Sequence, residues 1–64
     1  MEYVIFEEHR KGGGQTWGKK FPDFESAEKA IVEKVGEKYI EYYERWANSW
    51  CGTDVSYSIV EIKG

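Results

Sequence analysis

Residues able to do covalent chemistry are few in this 64-residue chain: one histidine, His9, and one thiol, Cys51. With Asp54 they would form a set in which imidazole activates the thiol and the carboxylate orients the ring. Nothing in their spacing brings the three together, and Cys51 reads as a small residue at a helix end. One histidine and one cysteine also leave a zinc site two ligands short of the usual nitrogen and sulfur set. No metal or cofactor is expected, and the chain reads as non-enzymatic. Gly13, Gly18 and Lys19 have the spacing of a phosphate-binding loop, G-x-x-x-x-G-K. Lys20 stands where that loop needs Ser or Thr, Trp17 interrupts it and Pro22 follows, so a glycine-rich hairpin turn is the better reading.

The stronger signal is recognition by aromatic side chains. Tyr39, Tyr42, Tyr43, Trp46 and Trp50 recur at helical spacing in the second half of the chain, and tyrosine and tryptophan are the types that dominate protein interfaces. Glu33, Glu37, Glu41 and Glu44 line another face of the same predicted helix, either as a solvated surface or as a complement to a basic cleft. Charge is unevenly placed. Arg10, Lys11, Lys19 and Lys20 put +4 between His9 and Pro22, while the rest of the chain, with five basic and twelve acidic residues, carries −7 of a net −3. A basic hairpin with Trp17 among its cations could hold phosphates while the indole stacks on a base.

Positioning these groups is the work of few elements. At this length one small domain, 1–64, is expected, and it buries only about 60% of the surface its unfolded chain exposes. Hydrophobic residues at 41% and charged residues at 33% suit a folded domain rather than a disordered one. The lone cysteine fits a reducing, cytoplasmic setting, and no basic leader or long apolar run points to secretion or a membrane.

Glu2 to Glu8 is β-branched or aromatic and precedes Gly12, Gly13 and Gly14, which predicts a strand and a turn; Gln15 to Phe21 returns as its hairpin partner. Asp23 is a predicted N-cap, and Phe24, Ala27, Ile31, Val35, Tyr42 and Trp46 follow a period near 3.6. The spacing predicts a helix from Asp23 to about Trp50, with Gly52 at its end and Gly36 marking a bend or a break. Val55 to Ile62 is the last strand. The expected fold is α+β, β-β-α-β: a three-stranded antiparallel sheet of order 2-1-3 packed on one long helix, bent or broken at Gly36. An unbroken helix would be about 40 Å long against about 23 Å for a seven-residue strand, so its aromatic end would overhang the sheet; a helix broken near Gly36 and folded back would make those rings the core of a helical corner instead. Ile31, Val35 and Tyr42 would meet the sheet, leaving Tyr39, Tyr43, Trp46 and Trp50 as the expected contact residues. The sheet face away from the helix is a second candidate surface, because Val4 and Phe6 must look away from Tyr3 and Ile5.

Two resemblances extend this reading. Trp17, Gly18 and Lys19, then Phe21, then Phe24-Glu25-Ser26-Ala27-Glu28-Lys29-Ala30 look like the WGR domain of DNA-dependent ADP-ribosyltransferases over about a third of the chain. Lys19 stands where that motif has arginine, and the strand between motif and helix is missing. The likeness implies DNA binding, for which the charge and aromatic pattern of the hairpin offers Arg10, Lys11, Trp17, Lys19 and Lys20 as contacts. Over most of its length, closing on Tyr57, Ile59 and Glu61, the chain resembles small phage-encoded or mobile-element accessory proteins. That resemblance implies an accessory or inhibitor protein that binds a host factor. Protein binding or self-association as a homodimer is therefore the expected function, with nucleic-acid binding as the alternative.

Overall fold

The run Tyr3-Val4-Ile5-Phe6 forms the centre of strand β1, Glu2–His9, and the glycines after it turn the chain into a short β2, Gly14–Thr16. The computed structural model describes residues 2–62; Met1, Lys63 and Gly64 of the expected 1–64 domain lie outside it. Pro22 stops further pairing, although Phe21 still bridges Tyr3 through two backbone hydrogen bonds of 2.8 and 2.9 Å. Helix α1, Phe24–Val35, starts at Asp23, whose Oδ1 accepts the Ser26 amide at 2.7 Å. This satisfies one of the orphan donors of the first turn, and Glu25 adds a negative charge where the helix dipole favours it.

The expected helix from Asp23 to Trp50 is not formed: α1 ends at Val35. Gly36 adopts φ +99°, which side-chain-bearing residues rarely reach, and its amide closes the last turn on the Val32 carbonyl. A single 3-10 turn, Ile40–Tyr42, comes next, and the chain then runs as β3, Glu44–Trp46, and β4, Ser49–Cys51, before β5, Val55–Ile62. The sheet therefore has five strands, all antiparallel, in the order β2-β1-β5-β4-β3. This corrects the expected three-stranded sheet of order 2-1-3, while the α+β class stands. The physical reason is burial: as strands, residues 43–51 lay Tyr43 and Trp50 on the core, which an overhanging helix could not do.

Helix and 3-10 turn cover one face of the sheet. The core on that side is Ile5, Phe21, Ala27, Ile31, Trp50, Tyr57 and Ile59, with Tyr3, Phe24, Val35, Ile40, Tyr43 and Val55 packed around it. Register builds it directly, since Ile5 faces Ile59 and Trp50 faces Tyr57 across neighbouring strands. Alternation then sends every second strand residue to the opposite face, which nothing among the described residues covers.

The β3–β4 hairpin turns through only Ala47 and Asn48, and Ala47 holds φ +46°. Such tight hairpins need a positive φ that glycine meets without strain. Ala47→Gly is expected to raise stability by about 0.5–1 kcal/mol, seen as a rise of a few degrees in Tm. An unchanged or lower Tm would mean that this turn holds no strain.

Candidate functional site

The expected contact residues separate once the strands are drawn. Trp50, only 5% exposed, is core, stacked under the Arg45 guanidinium at 4.8 Å. Tyr43 packs on Tyr57 with ring centres 6.2 Å apart. Tyr39 is 51% exposed and Tyr42 76%, both around the 3-10 turn in the helix layer. Trp46, 61% exposed, stands on the opposite side of the sheet. The aromatics are thus no single stripe, and Tyr42, expected to meet the sheet, is the most exposed of them.

The expected acidic helix face also divides. Glu33 lies on α1, Glu37 beyond its end, Glu41 in the 3-10 turn and Glu44 on β3. Glu41 and Arg45, i,i+4 partners on a helix, do not pair as such; Arg45 Nη2 meets Glu28 Oε2 at 2.9 Å instead.

The basic residues sit at opposite ends of β1. Arg10 ties itself to the β4–β5 turn, donating from Nη1 to the Thr53 carbonyl at 3.0 Å and from its amide to the Asp54 carbonyl at 2.8 Å. Lys11 lies beside it in the β1–β2 turn. Lys19 and Lys20 precede Phe21, level with Tyr3, about 23 Å away along the strand, and Lys19 Nζ lies 5.4 Å from the Phe21 ring centre. Trp17 is half-buried, its Nε1 donates to Glu7 Oε1 at 3.1 Å, and its ring meets Tyr57 edge-on. No helix starts directly after Lys19, so the phosphate-loop spacing has no helix N-terminus behind it. His9 and Cys51 lie on opposite faces of the sheet, and among the described residues no group of three or more His, Cys, Asp or Glu could hold a metal ion.

Among the described strand carboxylates Glu7 is the half-buried one on the covered face; Glu61, opposite Tyr3, shares that face but is exposed. Burial works against its charge, but the hydrogen bonds from Trp17 and from His9 Nε2, at 2.6 Å, with the charges of His9 and Lys34, outweigh it and hold its pKa below the ordinary 4.5. Burial, the Glu7 charge and Tyr43 push the Tyr57 hydroxyl upward. Because the folded pKa of Glu7 lies below the unfolded one, its stabilisation is complete above about pH 4.5 and is lost as pH falls from there through the folded value. Glu7→Gln should therefore be less stable than wild type at neutral pH, and the gap should narrow in urea melts at pH 3. A gap independent of pH would refute the assignment. This cluster is a structural clamp.

The uncovered face is what remains. Its strand residues fall into cross-sheet rows: Trp46, Ser49, Ser58, Phe6 and Thr16 in one, and Glu44, Cys51, Ser56, Glu8 and Gly14 in the next. Val4 and Val60 pair beyond them, then Glu2 and Ile62. Val60 is 45% exposed, and Phe6, Val4 and Ile62 are half-buried without any described element above them. Comparison with protein-family models, curated proteins and solved structures finds no match to this chain. The surface has to be read from its own chemistry.

That chemistry is apolar and hydroxylic with an acidic margin. No described strand residue on this face is lysine or arginine. This is the face expected as a second candidate surface from the alternation of Val4 and Phe6 with Tyr3 and Ile5; Val60 and Ile62 join it from β5 through register. Among the described residues, no helix is long and apolar enough to cross a membrane.

Proposed function

We propose that the chain is a non-enzymatic binding protein, an accessory or inhibitor type of molecule that docks a protein partner on the uncovered face of its sheet. The observation that carries this reading is Trp46, 61% exposed, on the same unpartnered face as Val60 and Phe6. An exposed tryptophan facing Phe6, Val4 and Val60 across a row of serines is the type of side chain that anchors an interface. Free Cys51 suits a reducing, cytoplasmic setting.

The test is affinity capture from a lysate of the source cells with wild type, Trp46→Ala and, as a control on the covered side, Glu33→Ala. A protein retained by wild type and by the Glu33 variant but lost with Trp46→Ala, while circular dichroism shows the fold intact, is the expected result. Equal retention by all three would remove this face from consideration.

A further inference from the structure

We infer that the uncovered face takes an α-helix of the partner, laid along the strands and bearing lysine or arginine on both sides of an apolar stripe. This rests on the protein-binding reading and adds the shape and charge of the occupant. The central strands β4 and β5 present a low floor, Ser49, Cys51, Ser56 and Ser58, ending at Val60. Trp46 rises on the β3 side and Phe6 on the β1 side, three strands away. At strand spacings near 4.8 Å the walls are about 14 Å apart, and a helix with its side chains is about 10–12 Å across. The Phe6 ring leans outward, over Gly14, where an added Cβ would lie 2.8 Å from it, and so away from the half-buried β5 serines. Ser49 and Ser58 bond to each other at 3.0 Å, so covering them strands at most one hydroxyl proton.

One row further along, the walls repeat as charge. Glu44 stands beside Trp46 on β3 and Glu8 beside Phe6 on β1, both exposed. A carboxylate on each bank complements a helix with cations on both flanks, and Arg10, which lines the same depression as Glu8 and Ser56, is held by the Thr53 carbonyl at 3.0 Å. The same distribution disfavours a second copy of this chain, which would bring Glu2, Glu8 and Glu44 against their own kind.

The probe is a synthetic amphipathic helical peptide of about fifteen residues, about 22 Å long, with an alanine and leucine stripe flanked by lysines. A second peptide carries the same stripe flanked by glutamates. Titrated into isotope-labelled protein, the lysine peptide should shift the amide signals of Ser49, Ser56, Ser58 and Val60 and bind more weakly as salt rises. Glu8→Lys with Glu44→Lys should weaken it about tenfold or more and favour the glutamate peptide. The milder pair Glu8→Gln and Glu44→Gln should fall between and guards against loss of fold. Equal binding of the two peptides, binding of neither, shifts on α1 instead, or self-association through this face in sedimentation would each overturn the inference. A captured protein partner that is lost with Trp46→Ala yet indifferent to the Glu8 and Glu44 reversals would overturn it too, and leave the protein-binding reading standing.

Discussion

Trp50→Ala should remove about 3–5 kcal/mol of stability, the usual cost of truncating a buried aromatic. For a chain of this length the whole stability is about 3–10 kcal/mol, so the variant should be largely unfolded at 37 °C or melt more than about 12 °C lower. The reason is position. Trp50 lies 5% exposed on β4, faces Tyr57 on β5 and carries Arg45 over its ring, so its removal opens a cavity at the join of the β3–β4 hairpin and the rest of the sheet. Trp46, four residues earlier and of the same type, points the other way, and Trp46→Ala should change stability by no more than about 0.5 kcal/mol. Thermal melts of the two variants side by side check this. Similar losses for both would place both rings in the core.

Gly52→Ala should be the next most damaging substitution, at about 1–3 kcal/mol. A Cβ at that position would lie 2.6 and 2.8 Å from two ring atoms of Tyr43 and 2.9 Å from the Val55 carbonyl oxygen. The carbonyl is fixed, because it accepts the Gly52 amide at 3.0 Å to close the β4–β5 turn. The ring must therefore move off Tyr57, which it packs against. If this is the cause, Tyr43→Ser should lessen the damage, so that the double variant loses less than the sum of the single ones. A Gly52→Ala protein with the wild-type melting point would show that Tyr43 does not lie on that glycine.

Much of the fold was legible where local chemistry decides it. Asp23 caps a helix, Gly36 stops it, and Glu2–His9 with Val55–Ile62 show the composition of paired strands. Residues 37–51 misled because Tyr42, Trp46 and Trp50 stand four apart and imitate a helical face. Their true pattern is alternation: Tyr43 and Arg45 inward, Glu44 and Trp46 outward, then Trp50 inward. The hairpin between them turns on Ala47, whose positive φ no sequence rule attaches to alanine. Strand pairing there is fixed by contacts with β5, distant in sequence, which local propensity does not report. Gly36 was legible as a bend or a break without deciding between them, and the path beyond it was not legible, because the course of a chain past a helix stop depends on which sheet edge is free to extend.

The candidate surface was half legible for the same reason. Trp46 drew attention by its type, yet its neighbours on the surface, Val60, Phe6, Ser49 and Ser58, come from three other strands and meet only through register. The basic residues, which looked contiguous as one hairpin, are held apart by the length of β1, and the indole between them is committed to Glu7. Closeness along a strand is not closeness on a surface.

Which side of the sheet meets the partner is the central claim, and crosslinking tests it most directly. A photo-reactive residue in place of Val60, on the uncovered face, and in a second protein in place of Glu33, on the outer side of α1, would report it in the source-cell lysate. A partner crosslinked through position 60 and not through position 33 is the expected result. Crosslinking through position 33 alone, or through neither, would contradict it.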